Sequence, residues 1–341
     1  MGVDRLGTVA ELTGMRQARI KIAAEAGEAV YHCMSRSVNG ERLFDDQAKE
    51  ILRRQFWQVA KYCGVDILTY AVLSNHFHVL VKVPQKAPVS DEELLRRYEV
   101  LYPHPTRYQA ARLEVIKKKL AADGPEAKSW RLRQLALMGD ISPFMKLVKL
   151  RFSIWYNRAH GRFGTLWAER FKSVLLEPRS RVIATVAAYI DLNSVRAGLA
   201  EDPKDYRFCA YAEAVAGSAA AQRSLASVIG AAKWEAAQAA YRLMLFGTAA
   251  ERHENRAAIT PKALESVVAA GGQLPLATVL RCRLRYFSDG AVLGSRAFVE
   301  EQLVANRGRT GRRERNGTRL LPSITDWGEL AALRVVRRAF G

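Results

Sequence analysis

Two histidines one residue apart, His76 and His78, lie within an apolar run. It extends from Ile67 to Leu73 and resumes from Val79 to Val83. Such a run reads as β-strand, and a strand sends residues i and i+2 to the same face. The two imidazoles then project side by side, with Phe77 behind them, as half of a divalent-metal site. Far downstream, Val182, Val186 and Ile190 recur at helical spacing, which predicts a helix over 182–196. Tyr189 and Asn193, four residues apart, share one face of it. A phenol one turn from an amide oxygen that can complete a metal site is a nucleophile arrangement. The ion polarises a phosphodiester and the phenolate attacks phosphorus. Each pair alone is read more simply as structural: one buried and one solvated histidine, or a core tyrosine and a helix-terminal asparagine. Their coincidence in one chain turns the reading towards chemistry.

These side chains need a sheet and helices to hold them. The pattern predicts a strand over 29–36, then an amphipathic helix over 45–63 with Ile51, Leu52, Phe56, Val59 and Ala60 inward. Asp45 or Asp46 can cap that helix. Strands over 66–73 and 77–83 join through Ser74 and Asn75, and Pro84 ends the pairing. Residues 85–140 read as a basic insertion with helices over 90–100 and 109–122. A helix over 142–157, capped by Ser142 with Pro143 in its first turn, turns Phe144, Leu147, Val148, Phe152 and Trp155 inward. Gly161 to Gly164 then lead into a strand over 167–176. This order of elements implies an α+β sheet with helices packed on one face. Beyond Ala210 come alanine-rich helices over 219–247 and further helices over 261–271 and 274–286. A turn at 287–295 leads to a helix from Ser295 to about residue 305. The last two helices are a candidate helix-turn-helix, or else a helical packing module. Residues 306–319 read as a glycine- and arginine-rich arm, and 330–340 as a short helix.

The chain carries 53 Lys and Arg against 34 Asp and Glu, a formal net charge of +19 over 341 residues. That excess favours polyanionic partners through phosphate neutralisation. No apolar run is long enough to span a bilayer, and Met1 to Met15 show no signal-peptide core. Cys33, Cys63, Cys209 and Cys282 form no Cys-x-x-Cys pair, which argues against a zinc knuckle or a disulfide framework. The expected place is a reducing cytoplasm.

Taken together, the His76/His78 pair and Tyr189-Ile-Asp-Leu-Asn193 resemble the single-tyrosine HUH transposases, and within them the REP-associated tyrosine transposases. Further segments agree in order. They are Tyr31-His-Cys-Met-Ser-Arg36, the helix from Phe44 to Tyr62, Arg162-Phe-Gly-Thr-Leu-Trp-Ala-Glu-Arg-Phe-Lys-Ser173, Val195-Arg-Ala-Gly-Leu199 and Asp202-Pro-Lys-Asp-Tyr206. The resemblance covers roughly residues 15–215. It implies a ferredoxin-like antiparallel sheet, with a helical insertion at about 85–140 and a helical, basic region over 216–341. It departs from the family at Ser194, where members usually carry proline, in the insertion, and in the longer C-terminal third.

The resemblance implies nicking and joining of single-stranded DNA at REP-like hairpins through a 5′-phosphotyrosine intermediate. Tyr189 would be the nucleophile, and His76, His78 and Asn193 would hold Mg²⁺ or Mn²⁺. Candidates for gripping the strand are Arg36, Lys146, Lys149, Arg170, Lys172 and Arg196, the last on the Tyr189 face by helical spacing. A monomer is expected, although related insertion-sequence enzymes act as dimers with exchanged tyrosine helices. Tyr156 ranks below Tyr189 because no amide follows one turn later. His32 could orient a ligand or serve the core. The rival readings are a catalytically silent hairpin-binding protein and a histidine-triad nucleotide hydrolase. The second would want a third alternating histidine where Leu80 stands.

Overall fold

In the computed structural model the apolar runs of the N-terminal half pair as neighbouring strands. The residues described are 19–23, 25–103, 113–247, 275–281, 284–306, 318–321 and 325–334. Strand β1 (Ala29–Arg36), helix α1 (Asp46–Cys63), β2 (Asp66–Val72) and β3 (His76–Val83) come first. Asp45 caps α1, its carboxylate accepting from the Ala48 amide at 2.8 Å. The helix stops at Gly64, whose φ of 64° is left-handed and suits glycine. Leu52, Phe56, Val59 and Ala60 are buried, while Ile51 packs partly buried at the edge of the core. The insertion folds as α2 (Asp91–Leu101), α3 (Leu113–Ala121) and α4 (Pro125–Leu135) around its own small cluster of Leu94, Tyr98, Ile116, Leu120, Ala127 and Trp130. Much of its charge is matched locally: Arg131 pairs with Asp91 and Asp123, Lys117 with Glu114, and Lys119 with Glu126.

Next come α5 (Ile141–Ala159), β4 (Lys172–Leu176), α6 (Ser180–Asp191) and α7 (Asn193–Arg196). Asp140, rather than Ser142, caps α5 by accepting from the Ser142 amide. The strand predicted over 167–176 begins only at Lys172. The stretch before it crosses the end of β1 instead, with the Ala168 amide on the Arg36 carbonyl at 3.0 Å and a bridge from Ser37 to Trp167. The helix predicted over 182–196 starts at Ser180 and is interrupted at Leu192.

The sheet order is β2-β3-β1-β4, all antiparallel, continued by three strands from the C-terminal third. The two crossover helices α1 and α5 share one face, as expected for a ferredoxin-like unit. Phe56 of α1 meets Phe77 there, and Phe77 and Phe152 of α5 both meet Trp167. His78 points the opposite way, and α6 covers that face with Tyr189 edge-on to it. The α+β class therefore holds, with helices on both faces.

Helix α8 (Ala210–Val215), outside the helices predicted from sequence, is followed by α9 (Ala219–Ile229) and α10 (Trp234–Phe246), the alanine-rich helices predicted over 219–247. After them come α11 (Leu276–Leu280), α12 (Arg285–Asp289), β5 (Gly290–Ser295), α13 (Arg296–Ala305), β6 (Arg319–Leu320) and β7 (Leu330–Arg334). The turn expected at 287–295 is thus mostly strand β5, parallel to β4. The candidate helix-turn-helix does not form there, because a strand separates α12 from α13. The helix expected at 330–340 begins as strand β7, antiparallel to β5. Ala331 and Ala332 favour helix locally, but burial against the sheet overrides that preference. Glu177, buried, accepts from the Ser295 amide at 2.6 Å and from its hydroxyl at 3.0 Å, tying β5 to the end of β4. The flexible lead over 1–14, the helix over 261–271 and most of the arm over 306–319 lie outside the described residues. Among the described residues no helix is long and apolar enough to cross a membrane.

Candidate active site

Antiparallel register places His76 opposite Arg36 and His78 opposite Met34, and Met34 opposite Lys172 on its other side. Strand alternation puts both imidazoles on the α6 face, their ring centroids 5.2 Å apart. The Tyr189 ring meets His78 edge-on at 6.5 Å and His32 at 6.4 Å. A cavity of about 380 Å³ opens here, lined by Arg36, His76, His78, Arg170, Lys172, Tyr189, Asn193 and Arg196 among others. Tyr189 is only 2 % exposed, so the cavity is where a substrate would meet it. Tyrosine and histidine pair reach this space from one chain.

Hydrogen bonds orient the candidate ligands. Asn75 donates its amide to the Gly40 carbonyl at 2.9 Å, so its Oδ1 faces His76 Nδ1 at 2.6 Å. An acceptor there calls for a proton on Nδ1 and leaves the basic nitrogen of His76 at Nε2. Asn193 donates Nδ2 to the Ile190 carbonyl at 3.0 Å and the Tyr189 carbonyl at 3.4 Å. Its Oδ1 is then the atom left to a ligand. Behind His78 lies His32, fully buried, with Nε2 at 2.9 Å from His78 Nδ1 and Nδ1 at 2.7 Å from the Phe287 carbonyl. Burial, with the Arg196 charge as a lesser cause, pushes His32 down to about 4. Burial also lowers His78 well below its ordinary value, helped by neighbouring His32, His76, Arg196 and Arg36. Both rings are neutral at pH 7, the form that binds metal.

Among the described residues no three His, Cys, Asp or Glu side chains gather as a metal site. A third protein donor would therefore be the Asn193 amide. Two imidazole nitrogens and one amide oxygen suit Mn²⁺ or a similar first-row ion at least as well as Mg²⁺, which prefers oxygen. The residues fit a divalent ion on that chemistry.

Arg196 holds the tyrosine as well as lining the cavity. Its guanidinium lies 3.9 Å over the Tyr189 ring and donates to the Tyr189 and Leu280 carbonyls, each at 2.6 Å. Lys172 lies 3.7 Å from Glu169, an acidic group on the same wall that sequence reasoning missed. Also missed were Ser288, which lines the cavity, and Phe287, whose ring meets Tyr189 at 5.0 Å. Both sit in what read as a turn, and no local pattern marks them. Lys146 and Lys149 do not line the cavity. Lys146 is exposed on α5, and Lys149 donates to the Glu169 carbonyl at 2.7 Å beside Trp167. Burial pushes Lys149 down to about 8. Tyr156 donates to the Leu43 carbonyl at 2.9 Å from within the core and does not line the cavity.

Residues 26–92 match the family model described as "Transposase IS200 like". No curated protein matches the chain. A solved structure described as "Structure of the REP associates tyrosine transposase bound to a REP hairpin" aligns at 15% identity and a TM-score of 0.38. The alignment covers 60% of this chain and 87% of that one. Over the segment that carries β1 to β3 and both site histidines, the chain is similar to the IS200-like transposases.

Proposed function

We propose that this protein nicks and rejoins single-stranded DNA at REP-like hairpins, with Tyr189 as nucleophile. The observation that carries this reading is the shared cavity: Tyr189, His76, His78 and Asn193 line one space with Arg36, Arg170, Lys172 and Arg196. The IS200-like match over residues 26–92 supports it, as does the net charge of +19. His76, His78 and Asn193 would hold a divalent ion, which supplies charge withdrawal at a non-bridging phosphate oxygen. Arg36, Arg170 and Lys172 grip flanking phosphates, while Arg196 keeps the phenol over the site. The Tyr189 oxygen forms a bond to phosphorus and the bond to the 3′ oxygen breaks. That oxygen leaves with the electron pair and takes up a proton, and the phenol loses its own. The products are a 5′-phosphotyrosine link and a free 3′-hydroxyl. Reversal of this step with an incoming 3′-hydroxyl rejoins the strand without ATP. Tyrosine and histidine pair lining one cavity within one chain favour a monomer, and the net charge of +19 suits action on the nucleoid.

The test uses single-stranded hairpin oligonucleotides, made from repeats flanking the gene, incubated with the full chain and Mn²⁺. A denaturant-resistant protein–DNA band is expected. Tyr189→Phe should abolish the band and keep hairpin binding within a few-fold. Binding without an adduct for the wild type under every divalent ion tried would replace this reading with a silent hairpin-binding protein.

A further inference from the structure

We propose that His32 is a positioning residue: it fixes the tautomer of His78, so that His78 presents its Nε2 lone pair to the cavity. The Phe287 carbonyl can only accept. His32 Nδ1 lies 2.7 Å from it and must therefore donate. A neutral imidazole carries one N–H, so His32 Nε2 is an acceptor. His78 Nδ1, 2.9 Å away, then donates to it, and the lone pair of His78 falls on Nε2. The reverse arrangement needs a doubly protonated His32. That would bury a cation at a position with no exposure, and none of its described contacts is to a carboxylate. The two ring planes are 29° apart, with centroids 5.1 Å apart. The order is that of a metal-binding histidine whose far nitrogen is held by a second group. Here the holder is another imidazole, and its own anchor is a backbone carbonyl 255 residues along the chain.

That the exposed lone pair is used for a metal rests on the proposed function. The tautomer does not. Long-range ¹H–¹⁵N NMR on the metal-free full chain, labelled at histidine, reads it directly. His78 should appear with its proton on Nδ1, the minority form of histidine in water, and His32 likewise. A His78 proton on Nε2 overturns the proposal. Glutamine carries an N–H donor and a carbonyl acceptor on one carbon, so His32→Gln should keep the His78 tautomer and most Mn²⁺ affinity. His32→Leu should leave His78 a mixture and weaken Mn²⁺ binding by about 10–100-fold. A folded His32→Leu protein with unchanged His78 signals and unchanged Mn²⁺ affinity also overturns it. If the wild type binds no Mn²⁺, the metal reading fails while the spectrum still decides the tautomer.

Discussion

Replacing Asp191 by asparagine should remove most of a pH-dependent loss of stability between about pH 4 and pH 7. Asp191 is fully buried at the end of α6. Both carboxylate oxygens accept from the Thr69 hydroxyl at 3.0 Å, and one accepts from Tyr241 at 2.5 Å. Burial pushes the carboxyl from 3.8 up to about 7, against the pull of those hydroxyl bonds. The folded state thus holds this proton more tightly than the unfolded chain does. The stability it contributes is full below pH 4 and is lost as pH rises through 7. At 1.36 kcal/mol per pH unit the difference is about 4 kcal/mol. Cys209, Tyr211 and Tyr241, the titratable groups around it, are raised by burial and stay protonated across this range. The asparagine amide carries no charge at any of these pH values. Denaturant unfolding at steps from pH 4 to pH 8 should show Asp191→Asn gaining on the wild type by about 4 kcal/mol as pH rises. A difference independent of pH, or one that moves the other way, refutes the reasoning.

Two other perturbations separate holding from gripping. Arg196→Lys keeps a charge but cannot bridge the Tyr189 and Leu280 carbonyls with a planar fork, so unfolding free energy should fall by about 2 kcal/mol. Adduct formation should fall with it, while hairpin affinity changes little; unaltered nicking would show that Arg196 does not hold the tyrosine. Arg170→Ala and Lys172→Ala should each lower the slope of log affinity against log salt by about 0.7, the loss of one single-strand phosphate contact. Lys146→Ala, outside the cavity, should leave the slope unchanged, and a salt titration of hairpin binding checks all three.

The parts of the site that sequence shows are those written in local periodicity. Alternation along β3 puts His76 and His78 on one face, and a four-residue step puts Asn193 beside Tyr189, wherever those elements pack. Aromatic and aliphatic spacing likewise marks α1 and α5. The failures have a different origin. Residues 290–295 become a strand on the edge that β4 leaves open, and 330–334 become one on the edge that β5 then offers, facts about the folded sheet that no window of sequence contains. Lys149 reads as a candidate for gripping the strand, yet its helix turns it towards Trp167 and a backbone carbonyl. His32 is visible as a residue of β1, but its partner is the Phe287 carbonyl, and carbonyls carry no sequence signal.

The helix that bears Tyr189 is gripped on both sides by the chain's later third. Tyr189 and Asp191 are two residues apart, about 200° around a helix, so one faces the cavity and the other faces away. On the cavity side Phe287 meets the Tyr189 ring, and the Leu280 carbonyl fixes Arg196. On the far side Tyr241 of α10 holds Asp191. Composition changes near residue 210, but these contacts cross that point and converge on a single turn of α6. Placement of the phenol relative to the histidine pair is therefore set partly by residues 241, 280 and 287. They do no chemistry themselves, yet a substitution that shifts any of them changes the distance across which Tyr189 would act in the proposed step.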